Sequence, residues 1–108
     1  MVSWQDAIMP EYTISTQSGN DWPDLPAGDL SSHLLPKSLH CKIVNDSGAL
    51  IFRTGQATVS VSWELAGIWY VDIEGPESSG FADLIAAEIA QQLGEATGEQ
   101  AVHYKVTD

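Results

Sequence analysis

Residues 57–74 read ATVSVSWELAGIWYVDIE, and this stretch decides the fold. From 57 to 64, Ala57, Val59, Val61 and Trp63 alternate with Thr58, Ser60, Ser62 and Glu64. A period of two with one apolar set is the mark of a half-buried β-strand. Residues 68–74 repeat it, with Trp69, Val71 and Ile73 on one side and Ile68, Tyr70, Asp72 and Glu74 on the other. Leu65-Ala66-Gly67 between the two runs is too short for a crossover, so the strands must pair antiparallel.

Working upstream, Cys41–Val44 and Ala49–Arg53 are short apolar runs joined by Asn45-Asp46-Ser47-Gly48, which has the chemistry of a hairpin turn. Gly55 marks the next turn, completing a meander of about four strands. Downstream, Gly75-Pro76 ends the sheet run, and Ser79 or Gly80 is predicted to cap a helix over 81–93 with Asp83 in its first turn. Phe81, Ala82, Ile85, Ala86, Ile89 and Leu93 fall on one face at helical spacing, and Gly94 is the predicted terminator. Residues 101–107 alternate again, Val102, Tyr104 and Val106 against His103, Lys105 and Thr107, which predicts a final strand.

The predicted fold is therefore α+β: an antiparallel meander, one helix packed on one sheet face, and a C-terminal strand. A chain of 108 residues suits a single domain. Within it, residues 41–108 form the ββββαβ core and residues 1–40 a loop-rich N-terminal arm packed on or extending from it. That arm holds Pro10, Pro23, Pro26 and Pro36, with a possible short strand over 11–16 carrying Tyr12 and Ile14 on one side. One helix covers one face only. Ile68 and Tyr70 on the other face need a cover, and the arm, through Trp4 and Trp22, is the expected one, with a partner protein as the alternative.

Charge is unevenly distributed along the chain. Residues 1–36 carry five acids and no base, residues 37–63 carry Lys37, Lys42 and Arg53 against Asp46, and residues 64–108 carry nine acids against Lys105, for a net charge of −11. Such a field repels nucleic acid and anionic membranes and attracts basic protein surfaces. The single Cys41 excludes an internal disulfide, and no basic start followed by an apolar run suggests a signal peptide, so a cytoplasmic protein is expected.

Catalytic signals are weak. Asp72 and Glu74 share a strand face roughly 7 Å apart, but a working acid–base pair needs burial, and a strand end beside Gly75-Pro76 is expected to be wet, which reads as solvated surface charge. His33, His40, Cys41 and His103 have no metal-ligand spacing, so no metal and no cofactor are expected. Gly75–Gly80 precedes a helix but lacks a lysine and is flanked by Glu77 and Asp83, which argues against a phosphate site. An enzyme is not expected.

The expectation is a small acidic inhibitor that binds a basic protein. Immunity proteins that neutralise a toxin nuclease, and nucleic-acid mimics that block a nucleic-acid-binding protein, are of this kind. Carboxylates then occupy the sites that phosphates would fill. Glu64, Asp72, Glu74, Glu77, Asp83 and Glu88 are the expected partner-binding residues, with Ile68, Tyr70 and Leu84 as apolar contacts. The alternative is a structural or assembly subunit, a homodimer or larger complex, held through edge strands and the Ile68/Tyr70 face.

Overall fold

A computed structural model describes residues 10–19, 22–23, 25, 29–63, 67–75 and 78–106. The elements in chain order are β1 (Glu11–Thr16), α1 (Leu30–Leu34), β2 (Lys42–Ser47), β3 (Ala49–Thr54), β4 (Ala57–Trp63), β5 (Trp69–Glu74), α2 (Ser79–Thr97) and β6 (Ala101–Val106). The fold is α+β, as predicted, but the sheet has six strands in the order β2-β3-β4-β5-β1-β6, every neighbouring pair antiparallel.

The meander is the part the local pattern predicts. Its first turn reverses at Gly48, whose φ of +82° only glycine adopts without strain. The β2–β3 ladder then shifts register between Ile43 and Asn45, a bulge that bends this edge strand. The alternation in β4 and β5 resolves as expected: Val59 opposes Ile73, Val61 opposes Val71, and all four are fully buried.

β1 is no appendage. It lies between β5 and β6, with Tyr12 opposite Val71 and Lys105, and Ile14 opposite Trp69 and His103. Because β5 and β6 each run antiparallel to β1, they are parallel to one another. Parallel strands need a crossover, and α2 provides it, passing from β5 to β6 over β1.

α2 starts two residues earlier than predicted and ends four residues later. Ser78 is the N-cap, its hydroxyl accepting from the Phe81 N–H at 3.1 Å, in place of Ser79 or Gly80. Asp83 therefore stands beyond the first turn. Gly98, at φ +79°, is the C-cap, and its N–H donates to the Gly94 carbonyl at 2.8 Å. Gly94 has a different use from the one expected. A Cβ there would sit 2.7 Å from the Glu99 carbonyl oxygen, so the glycine admits the chain returning from α2 into β6. Ala82, Ile85, Ala86, Ile89, Ala90 and Leu93 close the core against Tyr12, Ile14, Leu50, Phe52 and the inward residues of β4 and β5.

Residues 29–40 are stapled to the helix. Gln92, buried on α2, donates to the Leu35 and His33 carbonyls at 2.7 and 3.3 Å and accepts from the Lys37 N–H at 2.9 Å. Asp46 of β2 accepts from the Ser31 N–H and hydroxyl at 2.9 and 2.6 Å, supplying the cap that Asp29 does not make for α1. Leu34 of α1 is fully buried.

One expectation is corrected here. Trp22 does not cover the second sheet face. It is buried on the helix side, where its indole N–H donates to the Ile14 carbonyl at 3.3 Å. Trp4 lies outside the described residues.

Candidate functional site

The face of the sheet turned away from α2 is built by register. Ser60 opposes Asp72, Asp72 opposes Glu11, and Glu11 opposes Val106, so these four cross β4, β5, β1 and β6 in one line. The next line runs Ser62, Tyr70, Thr13, Tyr104. On the other flank, Arg53 opposes Lys42 on one side and Thr58 on the other, and Thr58 opposes Glu74. The face thus has three zones: a basic pair on β2–β3, a strip of hydroxyls on β4, and carboxylates with two tyrosines on β5, β1 and β6.

Glu11 and Asp72 are like charges directly opposed across a strand pair, an arrangement that destabilises a sheet. Glu74 follows two residues along the same face. None of the three has a hydrogen bond or ion pair among the described residues, where the one salt bridge joins Lys105 to Asp83 at 4.0 Å. Asp72 and Glu11 are half-buried and Glu74 is exposed. Tyr104 is 60% exposed, Val106 is exposed and Tyr70 is half-buried, so aromatic and apolar surface borders the carboxylates.

The expected site residues divide between two sides of the molecule. Asp72, Glu74 and Tyr70 lie on the open face, with Ile68 half-buried just before β5. Asp83, Leu84 and Glu88 lie on α2, beyond the sheet. Asp83 accepts from the Tyr12 hydroxyl at 2.5 Å, and Glu88 accepts from the Ser38 N–H at 2.9 Å and from its hydroxyl. These two carboxylates are engaged by the fold. Leu84, 52% exposed, borders a groove with Lys37, Glu88 and Glu95. Glu64 and Glu77 lie outside the described residues.

Glu11, Tyr104 and Val106 are the residues that sequence reasoning missed on this face. The alternation over 11–16 separates Glu11 from Tyr12 and Ile14, but nothing local shows that Asp72, 61 positions later, is its neighbour.

Titratable groups elsewhere have structural uses. Tyr12 is buried, and that burial pushes its phenol well above the usual tyrosine range, helped by the hydrogen bond to Asp83 and by that carboxylate's charge. Burial also pushes the Cys41 thiol up, opposed by a hydrogen bond with Thr54 and reinforced by Glu88, so Cys41 stays protonated at neutral pH. Among the described residues no three His, Cys, Asp or Glu side chains converge as a metal-binding group, and no helix is long and apolar enough to cross a membrane.

The chain matches no protein-family model, no curated protein and no solved structure.

Proposed function

We propose that this protein binds and neutralises a basic protein, a nuclease or nucleic-acid-binding protein, through the carboxylate-and-tyrosine half of its open sheet face. The observation that carries the reading is the Glu11–Asp72 pair with Glu74 beside it: three carboxylates gathered from two strands at a cost to the sheet, with no cation paired to them among the described residues. Local rules are broken in this way where a site needs the groups together. Carboxylates in the place of phosphates attract the partner's phosphate-binding side chains, and the overall charge of −11 raises the encounter rate by roughly 10- to 1,000-fold at low salt. Tyr70 and Tyr104 provide the aromatic contact area on which protein interfaces depend.

The test is capture from the native host's lysate on immobilised protein, wild type beside a Glu11→Gln, Asp72→Asn, Glu74→Gln variant. The expected result is one basic protein, held at low salt, released at high salt, and lost with the variant. Its nucleic-acid cleavage or binding should fall when the two purified proteins are mixed. Capture that survives the triple substitution, or a partner whose activity is unaffected, defeats the reading.

A second reading has its own observation. Lys42 and Arg53 occupy the same face as Glu11, Asp72 and Glu74, separated from them by the hydroxyl strip of β4. A two-fold axis along β4 would bring the basic half of one copy onto the acidic half of another, an isologous dimer. A mass that doubles with concentration at low salt, and fails to do so after Arg53→Gln, would favour this assembly.

A further inference from the structure

At the end of the sheet far from Glu74, β4 and β5 finish with Trp63 opposite Trp69. Their rings meet edge to face, centroids 5.4 Å apart and planes at 67°, forming a corner. Trp22, Pro23 and Leu25 complete a cavity of about 240 Å³ around it. Two of the indoles are locked: Trp22 and Trp69 are each 7% exposed, and the Trp22 N–H is spent on the Ile14 carbonyl. Trp63 is 46% exposed, so this wall is open to solvent.

The lining has no cation and no hydroxyl or amide side chain among the described residues. It therefore has nothing to hold a phosphate, and no array of hydrogen-bonding groups to orient a sugar. In the sequence, Asp21 and Asp24 flank Trp22-Pro23 and Glu64 follows Trp63, so the chain on both sides of the lining is acidic and carries no base. Indole faces attract cations through their quadrupole, and aromatic corners are the recurring receptor for alkylated ammonium groups. A net charge of −11 adds a field of the matching sign.

We propose that the Trp22–Trp63–Trp69 cavity binds an organic cation of the alkylated-ammonium class. The cavity is of a size to take one trimethylammonium head, seated against the Trp63–Trp69 corner. This site is on the helix side of the sheet and does not depend on the carboxylate face.

The test is tryptophan fluorescence of the full-length protein titrated with choline, with a short peptide carrying trimethyl-lysine, and with 3,3-dimethylbutan-1-ol, the uncharged isostere of choline. The expected result is saturable change with at least one cation, about tenfold weaker binding of the uncharged alcohol, and a similar loss in Trp63→Leu, which keeps an apolar wall but no ring. The comparison of choline with the uncharged alcohol is made on the wild-type protein, so the proposal remains testable if Trp63→Leu fails to fold. Tighter binding of choline than of the peptide assigns a free small molecule, and the reverse assigns a modified side chain. No saturable change with either cation, or an alcohol that binds as well as they do, overturns the site. Neither result touches the carboxylate face, which the triple substitution tests separately.

Discussion

The two faces of one sheet obey different rules. On the helix side, residues from all the interior strands are buried to completion, and among the described residues every buried polar side chain finds a partner: Tyr12 meets Asp83, Gln92 meets the backbone of residues 33–37, and Thr54 donates to the His40 carbonyl at 3.0 Å. On the far side, small hydroxyls, a basic pair and an unrelieved set of carboxylates share one surface. The first face is shaped by folding. The second contains at least one arrangement, Glu11 against Asp72, that folding alone would remove.

That contrast can be broken most forcefully from the covered side. Ile73→Ala should cost about 2–5 kcal/mol, as buried truncations that leave a cavity do. Ser60→Ala, on the neighbouring strand's open side, should stay within about 0.5 kcal/mol. Urea midpoints of the two variants measure both, and near-equal losses would mean that the open face is packed as tightly as the core.

The polar seam under α2 gives a smaller effect with a pH signature. The folded Tyr12 phenol titrates above the unfolded value of about 10. The folded state therefore keeps its proton where the unfolded state has lost it. The stability this contributes is complete below pH 10 and drains away as pH rises toward the folded value. Tyr12→Phe should cost about 1–2 kcal/mol at neutral pH through loss of the hydrogen bond to Asp83, and should flatten the alkaline decline. Tyrosinate absorbance followed alongside circular dichroism checks it: in the wild type, Tyr12 should ionise together with unfolding.

The smallest effect has the opposite sign. Glu11→Gln removes half of a like-charge cross-strand pair and should stabilise the protein by about 0.2–1 kcal/mol at low salt, fading as salt screens the repulsion. The same substitution should weaken capture of a basic partner. A variant that is both more stable and binds less well would mark this face as kept for function, whereas a destabilised one would mean that Glu11 has a structural role.

Much of this was legible before folding. Strict alternation in 57–64, 68–74 and 101–107, together with the apolar stripe of 81–93, located most of the strands and the main helix. Two of the three carboxylates on the open face, Asp72 and Glu74, were legible from the same alternation. Helix ends were less so, because Gly94 has the composition of a stop signal but is held inside α2 by the close approach of Glu99. The sharpest limit is β6. Its apolar set, Val102, Tyr104 and Val106, reads as the inward side, yet it opposes Ser15, Thr13 and Glu11 on the open face, while Ala101, His103 and Lys105 share the helix side with Thr16, Ile14 and Tyr12.

Spacing of two or of three to four residues is a property of the chain, and it was enough to divide each segment into two sides and to establish the α+β class and the acidic character. Which side meets the core, and which strand lies next to which, are relations between segments far apart in the chain. They were decided when α2 carried the chain from β5 over β1 into β6, because a ladder's register, once one strand's buried side is chosen, assigns the faces of every strand paired to it.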